Sequence, residues 1–201
     1  MPDAKSPGDS HRVFAVVLAA GGSSRFGGTK QLQAFDGASL VERAARLARS
    51  VCGDNTILVT GHDSAAVAKS AGDAARFVIV NDRHADGMSS SIVAAVSTLA
   101  HTAGGILLIL ADQPLISSGH LQSMLDSWSG NRTEIVATAF ADTSGPPVLF
   151  PSGAFPALMR LTGDQGARSV LQDPRFIVRT IQFEDALIDI DTPGDLAALS
   201  K

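Results

Sequence analysis

A doubly wound, mostly parallel α/β sheet flanked by helices is the fold this sequence predicts, on three observations. Short apolar runs recur along the chain, alanine- or leucine-rich helical patterns fill most intervals, and a glycine-rich turn follows the first run directly. That first run, residues 13–20, starts Val-Phe-Ala-Val-Val-Leu, the apolar, β-branched pattern of a strand buried on both faces. Helical patterns over residues 39–51 and 64–71 alternate with strand-like runs at 56–60 and 76–80. A helix over 89–100, a strand over 106–110, a helix over 118–128 and a strand over 134–140 continue the alternation. The stretch 142–151, Asp-Thr-Ser-Gly-Pro-Pro-Val-Leu-Phe-Pro, breaks it, and its glycine and prolines predict a loop leading into a short strand at 148–150. Helices at 153–161 and 167–171, a strand at 176–183 and a helix at 193–199 complete the reading.

With 201 residues and 45% hydrophobic content, the chain can bury one sizeable core, so residues 12–201 are expected to form a single domain. Residues 1–11 are polar and broken by proline, and are expected to be a disordered tail without the apolar core of a signal peptide. A net charge of -4 argues against a general nucleic-acid binder, and no apolar run is long enough to span a bilayer. Cys52 has no partner, so neither a disulfide framework nor a C-x-x-C site is expected, and a cytoplasmic setting follows. His11, His62, His84, His101 and His120 lack zinc-ligand spacing.

Leu18-Ala19-Ala20-Gly21-Gly22-Ser23-Ser24-Arg25-Phe26-Gly27-Gly28-Thr29-Lys30 hangs two cations on a glycine-rich turn at the C-terminal end of the first strand, where open α/β sheets bind ligands. Gly21 and Gly22 let the main chain approach a ligand, successive N–H groups can converge on an anion, and Arg25 and Lys30 add full charges. The alternative is a tight strand-to-helix turn with solvated cations. The spacing matches neither a Walker loop, a dinucleotide G-x-G-x-x-G nor a nucleophile elbow.

Ala111-Asp112-Gln113-Pro114 delivers a carboxylate to the same sheet edge, suited either to a hard cation such as magnesium or to fixing a turn. In Asp189-Ile190-Asp191-Thr192-Pro193-Gly194-Asp195, an extended strand would place Asp189 and Asp191 on one face. Capping explains Asp195, with Thr192 or Asp191 as N-cap and Pro193 at the first helical position, which leaves Asp191 as the favoured second metal ligand. Ser89, Ser90 and Ser91 after Gly87-Met88 mark a helix start, where hydroxyls either cap the helix or hold a ligand.

These residues together resemble the molybdenum-cofactor nucleotidyltransferase family, and more closely its molybdopterin cytidylyltransferase-like branch. The family signature Leu-x-x-Gly-x-Ser-x-Arg-[Met/Phe]-Gly-x-x-Lys is complete, with Leu18, Gly21, Ser23, Arg25, Phe26, Gly27 and Lys30 in register. Similar blocks follow from Asn81 to Ile92, at Ala111 to Pro114, at Gly145-Pro146-Pro147-Val148-Leu149-Phe150, at Gly163-Asp164-Gln165-Gly166-Ala167-Arg168 and at Asp189 to Pro193.

The resemblance implies a Rossmann-like nucleotidyltransferase fold and transfer of a nucleoside monophosphate from an NTP to a phosphorylated pterin-type acceptor, with release of pyrophosphate. It further implies that Arg25 and Lys30 are catalytic, neutralising the triphosphate, and that Ala19, Ala20, Gly21, Gly22, Ser23 and Ser24 bind the nucleotide. Asn81, Gly87, Ser89 and Ser90 would face the nucleoside, Gly145, Pro147, Gly163, Gly166 and Arg168 the acceptor, and Asp112 with Asp191 would hold Mg2+. Leu18-Ala19-Ala20-Gly21 is closer to the cytidylyl than to the guanylyl pattern, which favours CTP. A molybdoenzyme or its chaperone would receive the product. The alternatives are transfer to another phosphorylated acceptor or from GTP, oxidoreduction of small heteroaromatic compounds within the same wider family, and a non-catalytic nucleotide-binding carrier.

Overall fold

The computed structural model describes residues 12–22, 26–164 and 166–199, so the expected N-terminal tail lies outside it. In chain order, β1 (Val13–Ala19) is followed by a small hairpin of β2 (Ala34–Phe35) and β3 (Ala38–Ser39), then α1 (Leu40–Cys52), β4 (Thr56–Thr60), α2 (Ser64–Ala71) and β5 (Phe77–Val80). Next come α3 (Met88–Leu99), β6 (Gly105–Leu110), α4 (Ser118–Ser127), β7 (Glu134–Phe140) and β8 (Thr143–Pro151). The chain continues through α5 (Phe155–Leu158), α6 (Arg168–Leu171), β9 (Ile177–Gln182) and α7 (Pro193–Leu199).

A seven-stranded sheet in the order β5-β4-β1-β6-β8-β7-β9 forms the middle layer. All its strands run one way except β8, which is antiparallel to both β6 and β7. The alternation along β1 explains the two outer layers. Phe14, Val16 and Leu18 point into a core with α3, α5 and Val170 of α6, whereas Ala15, Val17 and Ala19 point into a second core with α1, α2 and α4. On that second face Ala15 and Ala19 belong to the same cluster as Ala44, Ala45 and Ala48 of α1, and small side chains let helix and sheet approach closely. Ser39 caps α1 by accepting from the Glu42 N–H, as the Ser-x-x-Glu spacing of a capping box requires.

The largest departure from expectation is β8, a nine-residue strand where a loop and a short strand were expected. Prolines lack the donor a ladder needs, but here the register slips between Ala137 and Thr138, so that Ala137 pairs with Val148 and Thr138 with Gly145. Pro146 and Pro147 fall in the resulting bulge, where proline is tolerated. Thr138 Oγ1 donates to the Pro147 carbonyl at 2.8 Å. The expected helix at 153–161 is shorter, a 3-10 turn Ser152–Ala154 leading into α5. Residues 188–191 belong to no strand, so the strand face expected to carry Asp189 and Asp191 is not formed.

His120, on α4, is buried, stacks on Phe183 and shares a 2.8 Å hydrogen bond with Thr138 Oγ1. Burial lowers its pKa below 6.5. As pH falls through about 6.5 the unfolded chain gains a proton that the folded chain resists, so stability present at neutral pH is lost toward the depressed folded value. His120→Gln keeps a donor for Thr138 without a titrating ring. Its urea midpoint is expected to fall less between pH 7.5 and pH 5.5 than that of the wild type, about the unperturbed histidine value. Equal falls would remove His120 as the source.

Candidate active site

The chain leaves β1 for β4 and β5 on one side, then returns to β6 on the other, so β1 and β6 flank the topological switch point. Leu18 pairs with Leu110 at their C-terminal ends, and the loops beyond begin Ala20-Gly21-Gly22 and Ala111-Asp112. Ligands of open α/β sheets bind in that crevice. A cleft of about 670 Å³ opens there, with Ala20, Gly21, Gly22, Lys30, Asp112 and Asp191 among its walls. Ala19 is 2% exposed and contributes through its backbone to the strand rather than to the cleft wall. Ser23, Ser24 and Arg25 lie outside the described residues.

Lys30 is the centre of the charged wall. Its Nζ donates to Asp112 Oδ2 at 2.7 Å and to Asp191 Oδ1 at 2.9 Å, drawing together carboxylates that are far apart in sequence. Burial acts to lower the Lys30 pKa, but the charges and hydrogen bonds of Asp112 and Asp191 outweigh it and raise it above 10.5. Asp189 is exposed as a residue, yet desolvation of its carboxyl, then the Asp112 charge, push its pKa up to about 6, with Asp191 adding to the rise. Three carboxylates therefore share the field of one ammonium. The Ile190 N–H donates to the Asp112 carbonyl at 2.9 Å, which ties the two carboxylate-bearing segments together.

The question whether Asp191 caps α7 is answered by the bonds around it. Asp195 Oδ2 accepts from the Thr192 and Asp191 N–H groups, and Thr192 Oγ1 accepts from the Asp195 N–H, a reciprocal capping box. The Asp191 side chain takes no part in the box and turns to Lys30. Asp112 Oδ1 is buried and has no hydrogen-bond partner among the described residues. An orphaned carboxylate oxygen beside a second carboxylate suits a hard divalent cation. Among the described residues no group of three or more His, Cys, Asp or Glu is placed to hold a metal. A magnesium-type ion fits such a donor set, since it needs one or two carboxylates and takes phosphate oxygens and water for the rest.

On the nucleoside side, the structure sorts the expected residues by role. Gly87, Met88 and Ser91 line the cleft. Asn81 is buried and donates to Ser90 Oγ at 2.8 Å and Ser91 Oγ at 2.9 Å, while Ser90 Oγ donates to the Gly87 carbonyl. Ser89 is 2% exposed, and both its hydroxyl and its N–H donate to the Gly163 carbonyl. Asn81, Ser89 and Ser90 therefore hold the segment in shape instead of lining the cleft: Asn81 ties Ser90 to Ser91, and the Ser89 and Ser90 hydroxyls donate to the Gly163 and Gly87 carbonyls and not to a cap of α3.

Gly87 has φ 97°, and a Cβ there would stand 2.6 Å from the Gly163 carbonyl oxygen and 2.4 Å from Asp164 Oδ1. Its backbone region is close to glycine-only and costs other residues roughly 1–3 kcal/mol. Gly87→Ala is therefore expected to fold with a lowered melting temperature and to raise the KM for nucleotide more than it lowers kcat. An unchanged KM would detach this turn from nucleotide binding.

A second, mainly apolar cavity of about 220 Å³ shares Leu18, Met88 and Leu110 with the cleft. Gly145, Gly166 and Arg168 of the expected acceptor set line it, and Arg168 donates to Thr143 Oγ1. Pro147 does not, because its carbonyl is engaged by Thr138 inside the sheet, and Pro146 lines the cavity in its place. Gly163 works through its carbonyl, which links this loop to α3. Sequence reasoning missed Gln31, whose Nε2 donates to the Gly21 carbonyl at 2.9 Å. His84 and Asp164 stand within the family-like blocks but are singled out for no role by the sequence, and the fold brings both into the cleft wall.

Residues 15–180 match the model of the MobA-like NTP transferase domain. Nicotine blue oxidoreductase of Paenarthrobacter nicotinovorans is 32% identical over 189 residues, covering 90% of this chain and 92% of that protein. The crystal structure of Rv0371c from Mycobacterium tuberculosis has a TM-score of 0.80 at 31% identity, covering 94% of this chain and 97% of the other. Its complex with manganese has a TM-score of 0.75 at 29% identity, covering 94% and 98%. Molybdopterin-guanine dinucleotide biosynthesis protein A of Archaeoglobus fulgidus shares the fold, with a TM-score of 0.70 at 20% identity over 92% and 96% of the two chains.

Proposed function

The chain belongs to the MobA-like NTP transferase domain family and is a nucleotidyltransferase, and we propose that it moves CMP from CTP to phosphorylated molybdopterin. The observation that carries this reading is the Lys30 clasp on Asp112 and Asp191, set beside Gly21 and Gly22 at the switch point with Asp112 Oδ1 left unpartnered. An acceptor phosphate oxygen attacks the α-phosphorus, the bond to the bridging oxygen breaks, and pyrophosphate leaves with the electron pair. A phosphate monoester is already anionic near neutral pH, so no protein nucleophile is required. Alignment and charge neutralisation do the catalysis.

In this reading the Gly21 and Gly22 backbone, with Ser23, Ser24 and Arg25, cradles the triphosphate, and Lys30 holds the carboxylates converged while adding positive charge to the cleft. Asp112 and Asp191 would hold Mg2+, which when bound supplies charge opposite the reacting phosphates. Ala19-Ala20 before Gly21 supports CTP over GTP. The apolar cavity beside Arg168 suits a flat pterin ring, with the acceptor phosphate toward the cleft. A cytoplasmic setting and hand-over of the product to a molybdoenzyme or its chaperone complete the proposal. Among the described residues no helix is long and apolar enough to cross a membrane.

Pyrophosphate release from each of the four NTPs with magnesium, with and without molybdopterin, tests it. Release that requires both CTP and molybdopterin supports the reading; release with GTP, or with another acceptor only, replaces that part of it. The likeness to nicotine blue oxidoreductase favours one second reading, reduction of a small heteroaromatic by a reduced nicotinamide. The missing dinucleotide fingerprint counts against it. Substrate-dependent loss of nicotinamide absorbance, with no pyrophosphate release from any NTP, would establish it.

A further inference from the structure

The turn that follows β4 touches the glycine-rich loop at both of its ends. Where the loop leaves β1, the His62 N–H donates to the Ala20 carbonyl at 3.2 Å, and the His62 ring lies against Gly22, where a Cβ would stand 3.9 Å from its Cγ. Where the loop delivers Lys30, Thr29 Oγ1 donates to Asp63 Oδ2, and His62 Nε2 stands 3.6 Å from that same oxygen. Neither Thr29 nor Asp63 serves its own helix. Thr29 is the N-cap of the 3-10 turn Lys30–Leu32 and Asp63 the N-cap of α2, yet among the described residues neither side chain caps. Threonine and aspartate at an N-cap ordinarily accept from their helix, on an extended backbone. Asp63 instead has φ 51°, a left-handed conformation that aspartate tolerates better than most residues. The two side chains turn to each other across 34 positions of sequence, and Thr29, at 9% exposure, is buried in the contact.

We propose that Asp63 and Thr29 are positioning residues for nucleotidyl transfer, which fix the point where the glycine-rich loop delivers Lys30 to the cleft. The inference rests on that loop receiving the triphosphate. Gly21, Gly22, Gly27 and Gly28 leave the segment much conformational freedom. Ordering it only when a nucleotide arrives would subtract from affinity, whereas a bond made beforehand leaves that binding energy for aligning the phosphates. The His62 N–H anchors the other end through the Ala20 carbonyl, so the loop is held from one turn on both sides. A bond that served only to stabilise α2 would have been a cap, and this one bypasses the helix.

Calorimetric titration of the full chain with each of the four NTPs and magnesium, with no acceptor present, tests this on the NTP that the wild type binds. Asp63→Ala and Thr29→Val are each expected to raise the dissociation constant roughly tenfold, with melting temperatures near that of the wild type. Asp63→Asn keeps an acceptor oxygen and Thr29→Ser keeps the hydroxyl, and both are expected to bind as the wild type does. Because the two residues act through one bond, Asp63→Ala combined with Thr29→Val is expected to bind no more weakly than either alone. Wild-type affinity in Asp63→Ala or Thr29→Val, losses that multiply in the double variant, or equal losses in Asp63→Asn and Thr29→Ser would overturn the proposal. A wild type that binds GTP in place of CTP, with the same pattern among the variants, would correct the nucleotide assigned above and support the positioning role.

Discussion

Lys30→Met is expected to cut turnover by roughly 10²–10³-fold, the loss typical of removing one preorganised charge-stabilising group, and to lower the melting temperature of the metal-free protein. Both effects follow from one geometry. The ammonium lies 2.7 Å from Asp112 and 2.9 Å from Asp191, and without it those carboxylates and Asp189 lose the counter-charge they share. The side chains are 12%, 23% and 38% exposed for Lys30, Asp112 and Asp191, so solvent screens part of the repulsion. The cost is then about 1–2 kcal/mol, between an exposed pair and a fully buried one. Because the folded pKa of Lys30 lies above 10.5, its stabilising contribution is fully present at neutral pH and is lost only as pH rises through the folded value.

Millimolar magnesium or manganese is expected to restore the melting temperature of Lys30→Met but not its turnover, since a divalent ion can replace the ammonium between carboxylates yet not beside the triphosphate. Thermal denaturation with and without the ion, alongside initial rates, separates the two functions. Wild-type turnover would remove Lys30 from the chemistry. A melting temperature that ignores divalent ions would remove the carboxylates as a cation site.

Sequence periodicity located the layers because burial on both faces leaves a plain record. The alternating sets of β1, Phe14, Val16 and Leu18 against Ala15, Val17 and Ala19, are all apolar, and such a run fits only a strand covered on both sides. The glycine loop and Asp112 were legible for a related reason, since each follows a buried strand at the edge where ligands bind. What stayed hidden depended on long-range partners. That β8 continues through two prolines rests on a register slip opposite Thr138, which no local propensity encodes. Ser89 and Ser90 read more readily as ordinary caps than as ligand groups, and only the fold shows that their hydroxyls instead donate to the Gly163 and Gly87 carbonyls. Lys30 and Asp191 were each legible as charged, but that they meet is a product of the whole fold, 161 positions apart.

Asp112→Asn and Asp191→Asn are expected to lower turnover by roughly 10²–10³-fold and to raise the magnesium concentration for half-maximal rate by at least tenfold, while leaving the fold intact. For Asp112 the argument is the orphaned Oδ1: the asparagine keeps an acceptor for Lys30, but it removes the charge and places an amide where a hard cation needs carboxylate oxygen. For Asp191 it is the independence of the helix cap. Thr192 and Asp195 make the capping box through their own side chains, and Asp191 contributes only its N–H, which asparagine retains. The melting temperature of Asp191→Asn is therefore expected to stay within about 2 °C of the wild type. Asp195→Ala supplies the contrast, with a loss of about 1 kcal/mol, or roughly 2–4 °C for a chain of this length, and an unchanged magnesium dependence. Rates titrated with magnesium and melting curves for the three variants decide the matter. If Asp191→Asn melts as low as Asp195→Ala and keeps the wild-type magnesium dependence, its carboxylate holds the loop and not the metal, and Asp112 would have to bind the ion with phosphate and water alone.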